Sequence, residues 1–223
     1  ANIIFIIPVY NEEKNLKEVL LSLKKYGKIL TINDGSMDNS ENIAKKYSDY
    51  YLYNKTNKGY DYTHKKGLLH VVKNLKKFNF AITFDGDGQH IANEVNKLKK
   101  KIKYDIIIGN RKFYNRLIEK KISQISKKHF NIIDPLTGMK MFNVNKLKNE
   151  ILQLNLKKND FGLFYLRWLK NFTYTNVLIK VKKKNKKSSM GDTKKVTEKF
   201  YNSFRNIISE VLNVTKLWKI KIK

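Results

Sequence analysis

The chain has 223 residues, 41% of them hydrophobic and 12% aromatic, which is enough to bury the core of one full domain. The absence of cysteine excludes disulfide bonds and thiolate chemistry. The sequence contains no run of 18 apolar residues, so it predicts no helix that could cross a bilayer unaided. The net charge of +28 would attract nucleic acid, anionic lipid or a phosphorylated substrate, but lysines scattered over helix faces explain it equally well.

Short apolar runs alternate with amphipathic stretches over the first half of the chain. The runs predict strands at 2–9, 29–33, 50–53, 80–84 and 105–108. The stretches between them carry apolar residues at helical spacing and predict the intervening helices, the last of them over 91–103. This alternation predicts a three-layer α/β/α sandwich around a mostly parallel sheet, with the strand-end loops gathered at one edge. Ligands bind at that edge in open α/β sheets.

The second half of the chain is less regular. It predicts strands at 139–144 and 173–181, and helices at 117–130, 145–154 and 161–169. The lysine-rich segment 180–195 predicts a mobile loop, and 196–218 predicts an amphipathic helix. We therefore divide the chain into a main domain at 1–184 and a basic loop with an amphipathic helix at 185–223. This helix either packs on the domain or lies on an anionic membrane surface.

Two carboxylates one residue apart follow the apolar run at 80–84. Asp85 and Asp87 are separated by a glycine, and the glycines of this turn allow Asp85, Asp87 and Gln89 to face one point. Oxygen ligands of this kind suit Mg²⁺ or Mn²⁺, which proteins bind through one or two carboxylates plus substrate phosphates. The turn therefore predicts a divalent cation that bridges the protein and a diphosphate.

Other nucleotide and metal motifs are absent from the sequence. No Gly-x-Gly-x-x-Gly follows the first strand and no Gly-x-x-x-x-Gly-Lys-Ser/Thr occurs, which argues against a dinucleotide enzyme and a P-loop NTPase. The four histidines lack the spacing of metal ligands, and for His90, beside the acidic turn, a structural role is the more common one.

Five ordered motifs carry a resemblance to a known family. They are Pro8-Val-Tyr-Asn-Glu-Glu, Asn33-Asp-Gly-Ser-Met-Asp-Asn, Asn57-Lys-Gly, Asp85-Gly-Asp-Gly-Gln-His and Gly109-Asn-Arg. In this order and spacing they resemble glycosyltransferase family 2, which has the GT-A fold. The later segment Asp134-Pro-Leu-Thr-Gly-Met-Lys-Met-Phe is similar to that of the dolichol-phosphate, or polyprenyl-phosphate, sugar synthases.

The resemblance implies a metal-dependent, inverting transfer of a hexose from GDP- or UDP-hexose to a dolichyl or undecaprenyl phosphate. It also implies roles for individual positions. The donor would be bound by Pro8, Tyr10 and Glu12 around the nucleoside, Asp34 at the base, Asn57 and Gly59 along the nucleotide, and Asp85 near the ribose and sugar. Asp87, with Gln89 and Asp85, would bind the metal, and Asp87 and Arg111 would be the catalytic residues.

The acceptor side follows from charge. A lipid phosphate is already anionic near neutral pH, so it needs positive groups rather than a strong general base. Arg111 is the first candidate, because a guanidinium matches phosphate geometry. Secondary candidates are Ser123, next to Lys120 and Lys121, and Lys184 with Ser188 or Ser189 in the late basic loop.

Departures from the family pattern leave alternatives open. Where the synthases have Glu-Val-Pro, this chain has Asn176-Val-Leu, and the alanine of the helix that follows Gly59 is replaced by Thr63. A saccharide acceptor would need a carboxylate base, for which Asp134 and Asp160 are the candidates. A non-enzymatic alternative is a basic module that binds nucleic acid or membrane.

The lipid-acceptor hypothesis also places the protein in the cell. It predicts a peripheral position at the cytoplasmic face of a membrane, and it allows a membrane-protein partner. Nucleic acid is not expected as a partner under this hypothesis.

Overall fold

The computed structural model describes residues 2–112, 117–182 and 194–212. The strands are β1 (Ile3–Val9), β2 (Lys28–Asn33), β3 (Tyr50–Tyr53), β4 (Phe80–Thr83), β5 (Ile106–Asn110), β6 (Lys140–Asn143) and β7 (Tyr174–Leu178). The α-helices are α1 (Glu13–Leu23), α2 (Ser40–Tyr47), α3 (Tyr60–Asn74), α4 (Val95–Lys99), α5 (Leu117–Phe130), α6 (Lys148–Leu152) and α7 (Lys194–Leu212).

These seven strands form one sheet in the order β3-β2-β1-β4-β6-β5-β7. The pairings are parallel except those of β6, which runs antiparallel to both β4 and β5. The first residue of β6, Lys140, therefore pairs with Thr83 near the carboxyl end of β4. The predicted mostly parallel α/β architecture is confirmed, and the reversed strand brings the segment before β6 to the carboxyl edge of the parallel strands.

Helices cover both faces of the sheet because each buries an apolar side. On one face α1 packs Leu16, Leu20 and Leu23, three and four residues apart, against β1 and β4. The other face holds a larger cluster, to which α3, α5, α6 and the aromatic 3₁₀ helix Phe164–Trp168 contribute. The nearly continuous apolar sequence of β1 follows from this arrangement, since the strand is covered on both sides.

The described part of the C-terminal helix packs on the main domain. Its apolar residues are buried in the larger core cluster; they are Phe200, Tyr201, Phe204, Ile207, Ile208 and Val211. This face of α7 is therefore covered by protein rather than available to a membrane. The rest of the predicted helix, including Trp218, and the basic segment 183–193 lie outside the described residues. None of the helices described is long and apolar enough to cross a membrane.

Three predicted helices are shorter than their sequence patterns indicate, and the one at 145–154 is confined to α6. The stretch 91–103 forms a 3₁₀ turn, Ala92–Glu94, followed by the short α4. The stretch 161–169 begins with Phe161 and Gly162 at positive φ (51° and 76°), so helical structure starts only at Phe164 and has 3₁₀ form. Because right-handed helices need negative φ, these two residues form a turn instead of a first helical turn.

Candidate active site

Asp34, directly after β2, fixes the connection between β3 and α3. Its carboxylate is 3% exposed and accepts hydrogen bonds from the backbone N–H groups of Lys58 (2.9 Å) and Gly59 (2.8 Å) and from the Asn54 amide (2.7 Å). Gly59 has a φ of 92°, which glycine adopts without strain. The predicted nucleotide residues Asp34, Asn57 and Gly59 are thus brought together at the carboxyl edge.

The loop between β1 and α1 is tied to the same region. The N–H groups of Asn11 and Glu12 donate to the hydroxyls of Ser36 (3.0 Å) and Ser40 (2.8 Å), in the segment that follows Asp34. Pro8 and Tyr10 flank the last residue of β1, and Tyr10 is 41% exposed. The predicted nucleoside residues Pro8, Tyr10 and Glu12 therefore belong to the same edge as Asp34.

Asp85 is enclosed by protein donors. The Tyr60 hydroxyl donates to Oδ1 (3.1 Å) and His90 Nε2 donates to Oδ2 (3.2 Å). Gly138 packs directly on the carboxylate, since a Cβ at this position would lie 2.0 Å from Oδ2. Burial acts to raise the pKa of Asp85, but the hydrogen bond and charge of His90, with contributions from His64 and Tyr60, hold that pKa well below its ordinary value. Asp85 is therefore an oriented, anionic hydrogen-bond acceptor.

Asp87 and Gln89 lie in the open part of the acidic turn. Asp87 Oδ1 accepts a hydrogen bond from the Gln89 N–H (3.0 Å), which fixes the turn. Both residues, with Glu12 and His90, line a cavity of about 730 Å³ between α1 and the segment after Asp87.

The three predicted metal ligands differ in the hydrogen bonds that they already make. Within the described ranges, no group of three or more His, Asp or Glu side chains could hold a metal ion on its own. Both oxygens of Asp85 already accept from protein donors, whereas Asp87 and Gln89 offer one carboxylate and one amide oxygen beside the cavity. That donor set fits Mg²⁺ or Mn²⁺ when a substrate diphosphate completes the coordination.

Arg111, the predicted phosphate ligand, is engaged in a buried ion pair. Its Nε and Nη2 donate to the two oxygens of Asp134 (2.7 and 3.1 Å), and Nη2 also lies 3.4 Å from Glu119. Burial lowers the pKa of Arg111, but the hydrogen bond and charge of Asp134 outweigh that effect and raise it. The guanidinium is at the predicted edge, and its charge is compensated by these carboxylates.

Of the remaining acceptor candidates, the structure describes Ser123 alone. The Ser123 hydroxyl donates to the carbonyl of Ile133, and Lys184 and Ser188 lie outside the described residues. Asp160 accepts from Lys65 Nζ (2.7 Å) and Arg167 Nη2 (3.0 Å) and is buried. Both carboxylates considered as general bases, Asp134 and Asp160, are therefore held in buried ion pairs.

Three residues near Asp85 were missed by sequence reasoning: Tyr60, His64 and Lys140. The His64 ring packs against the Tyr60 ring, with centroids 4.2 Å apart and ring planes inclined by 56°, and burial lowers the pKa of His64 to about 3. Tyr60 and His64 are four residues apart at the start of α3, directly after Gly59, and this spacing places them on one helix face. That spacing was a usable signal. Lys140, one lysine among many, gave none.

A mostly parallel α/β sheet with acidic and glycine-rich loops at its carboxyl edge is typical of α/β proteins that bind a ligand at that edge. Residues 4–170 match Glycosyl transferase family 2, and the chain belongs to that family. The resemblance stated from the five motifs is confirmed.

Relatives of known sequence and structure support this assignment. An uncharacterized protein of Methanocaldococcus jannaschii is 38% identical over 114 residues, 49% of this chain and 46% of that protein. The UDP-N-acetylglucosamine–dolichyl-phosphate N-acetylglucosaminyltransferase of Methanococcus voltae is 29% identical over 192 residues, 71% of this chain and 76% of that protein. The chain thus spans about half the length of the first relative and three quarters of the second.

A solved structure shares the fold. Glucosyl-3-phosphoglycerate synthase from Mycobacterium tuberculosis, in complex with Mn²⁺, UDP-glucose and phosphoglyceric acid, matches with a TM-score of 0.66 and 11% identity. The match covers 95% of this chain and 79% of that one. The predicted GT-A architecture is confirmed by this likeness.

Proposed function

We propose that the protein transfers a hexose from a nucleotide sugar to a polyprenyl phosphate. The observation that carries this proposal is that Asp134 and Asp160 are each held in a buried ion pair. A saccharide hydroxyl must lose a proton to become a nucleophile, and neither carboxylate is free to take it. A phosphate oxygen is anionic beforehand. The name of the Methanococcus voltae relative, a UDP-N-acetylglucosamine–dolichyl-phosphate N-acetylglucosaminyltransferase, agrees with this acceptor.

The donor would lie along the edge formed by the first two strand-end loops. Pro8, Tyr10 and Glu12 would receive the nucleoside, with Asp34 beside it, and Asn57 and Gly59 would follow the nucleotide. Asp85, oriented by Tyr60 and His90, would accept a hydrogen bond from a hydroxyl of the ribose or sugar. These roles agree with the position of the residues at the carboxyl edge of the sheet.

Asp87 and Gln89 would hold the divalent cation. When bound, Mg²⁺ or Mn²⁺ neutralises negative charge that develops on the diphosphate leaving group. The structural relative solved with Mn²⁺ and UDP-glucose supports this use of a metal. The acceptor phosphate would then attack from the opposite face of the sugar, which inverts its configuration.

The first experiment tests whether the protein binds a nucleotide sugar together with a metal ion. Addition of a UDP- or GDP-hexose with Mn²⁺ should raise the melting temperature of the protein, and omission of the metal should remove most of that rise. Asp87→Asn should weaken metal-dependent nucleotide binding at least tenfold. Asp49→Asn, which removes a surface partner of Lys28 far from the site, should bind as the wild type does. Equal nucleotide binding by the Asp87 variant would contradict the assigned metal site.

The second experiment compares a polyprenyl phosphate with oligosaccharides as acceptors. Wild-type protein should form product with a short-chain polyprenyl phosphate and none with oligosaccharides. Product from an oligosaccharide alone would replace this proposal with transfer to a glycan. Salt-sensitive nucleic-acid binding that is unaffected by Asp87→Asn, with no transfer to either acceptor, would favour the non-enzymatic alternative.

We further propose a peripheral position at the cytoplasmic face of a membrane. The lipid nature of the acceptor and the net charge of +28 support it, because anionic lipid attracts basic surfaces. The apolar face of α7 is not available for this contact, since it packs on the core. Other basic surfaces, or a membrane-protein partner, would have to supply it.

A further inference from the structure

Three buried or half-buried cations beside the site have carboxylate partners. Arg111 pairs with Asp134, Lys65 with Asp61 and Asp160 (both 2.7 Å), and Arg167 with Asp160 and Glu210. Of the two lysines that are buried among the described residues, Lys65 has these partners and the other, Lys140 (4% exposed), does not. Among the described residues its ammonium donates to the Thr137 carbonyl and lies 5.1 Å from the centre of the Tyr165 ring, and it forms no ion pair.

Lys140 lies between the strand that leads to Asp85 and the strand that leads to Arg111. It is the first residue of β6, paired with Thr83 of β4 and Ile108 of β5. Two residues further along their strands, in the same direction, lie Asp85 and Asn110. The charged groups that influence Lys140 are Asp134, Asp85, Arg111 and Asp61, and Lys140 in turn influences His64. Its positive charge therefore lies between Asp85, on the proposed donor side, and Arg111, on the proposed acceptor side.

Gly162 lies beside the Lys140 ammonium. A Cβ built on Gly162 would meet two heavy atoms within 4 Å, Tyr60 Cε1 at 3.5 Å and Lys140 Nζ at 3.9 Å. Gly162 itself presents no side chain that could neutralise or bind the ammonium. The ammonium has three donors and uses one on Thr137, so donors remain for a ligand oxygen.

We propose that Lys140, and not Arg111, is the cation that receives the anionic oxygens of the acceptor phosphate. This inference rests on the proposed transfer to a polyprenyl phosphate and names the residue that would bind the acceptor. A buried ammonium without a carboxylate reduces stability, because it loses hydration without gaining an ion pair. An approaching phosphate would supply the missing partner, which makes the site selective for an anionic acceptor over a neutral saccharide.

Two buried lysines permit a matched test. Lys65→Met should lower the urea midpoint strongly, because it leaves Asp61 and Asp160 without their shared ammonium. Lys140→Met should give a midpoint equal to or above that of the wild type, because it removes an uncompensated charge. A Lys140→Met midpoint as low as that of Lys65→Met would mean that Lys140 is a structural residue, and would overturn the proposal.

Acceptor binding provides the second readout. With nucleotide sugar and Mn²⁺ present, Lys140→Met should raise the KM for a short-chain isoprenyl phosphate at least tenfold and leave the affinity for the nucleotide sugar unchanged. Lys140→Arg, which keeps the charge, should restore part of the loss. If wild-type protein forms product and the acceptor KM of Lys140→Met is unchanged, this inference fails while the proposed function stands. If wild-type protein neither binds nor uses the isoprenyl phosphate, the proposed function fails and this inference with it.

Discussion

Asp85 shows how the site controls one carboxylate through its neighbours. Two hydrogen bonds set the plane of the carboxylate, and Gly138 leaves it no room to rotate. Each oxygen retains capacity for a further hydrogen bond. The arrangement therefore presets Asp85 for hydroxyl groups of a ligand, and the energetic cost of ordering the side chain is met during folding.

Removal of one hydroxyl should test this presetting. Tyr60→Phe should weaken nucleotide-sugar binding about tenfold, because a hydrogen bond to a charged group contributes roughly 1.5–3 kcal/mol. Titration calorimetry in the presence of Mn²⁺ measures the change. Tyr174→Phe is the matched control, since its hydroxyl donates to the Phe130 carbonyl (3.0 Å) at the opposite edge of the sheet. Equal losses in the two variants would show that Tyr60 does not act through Asp85.

Sequence motifs located the loops of the site better than the partners of its side chains. Asp34, Asp85 and Asp87 could be placed because each directly follows a recognisable strand. The pairing of Arg111 with Asp134 could not be foreseen, since the two residues are 23 positions apart and no sequence motif connects them. Lys140 was hidden for a different reason: its environment is created by residues from three other parts of the chain.

Among the elements, α7 was predicted either to pack on the domain or to lie on a membrane, and its contacts show that the described part packs on the domain. Phe200 stacks on Phe161 with ring centres 4.2 Å apart, and Glu210 accepts from Arg167 (2.6 Å) and Lys158 (2.9 Å). Phe161 has a φ of 51°, an unfavourable conformation for a bulky residue, which persists only where the surroundings enforce it. The helix thus holds the turn that carries Gly162 over Lys140.

Truncation of the stacked ring should loosen this turn and the fold. Phe200→Ala should reduce the free energy of unfolding by about 3–5 kcal/mol, the usual cost of deleting a buried phenylalanine ring. Urea denaturation followed by circular dichroism measures it. Lys199→Ala, at an exposed neighbouring position of α7, should change it by less than about 0.5 kcal/mol. A free energy of unfolding that Phe200→Ala leaves unchanged would mean that α7 contributes little to the packing of the domain.

Hydrophobic periodicity predicted the alternation of strands and helices and the existence of α7. It could not reveal that β6 is reversed, because a four-residue apolar strand has the same pattern in either direction. It also overestimated the length of three helices. Backbone conformation at Phe161 and Gly162 and a 3₁₀ turn at Ala92–Glu94 shorten two of them, and the third is confined to Lys148–Leu152.

At the scale of the whole molecule, buried His64 should make the fold sensitive to acid. Its folded pKa of about 3 is below the ordinary 6.5, so its contribution to stability is complete above pH 6.5 and is lost as the pH falls toward 3. The loss from this residue should reach roughly 3 kcal/mol at pH 4, at about 1.36 kcal/mol per pH unit.

Denaturation between pH 7 and 4 tests this expectation. His64→Phe, which keeps a ring against Tyr60, should lose less stability over this range than the wild type does. His129→Gln removes an exposed histidine and should follow the wild-type curve. Parallel curves for all three proteins would show that His64 is not protonated preferentially in the unfolded chain.

The reversed strand also has a consequence for the order of assembly during synthesis. The β3-β2-β1-β4 half of the sheet is built from residues 3–83, but β5 and β7 can join it only through β6. A nascent chain that has emerged only as far as β5 therefore exposes an unpaired margin along β4, where another copy could add a strand. The 29 residues between β5 and β6 determine how long that margin stays open to self-association on the ribosome.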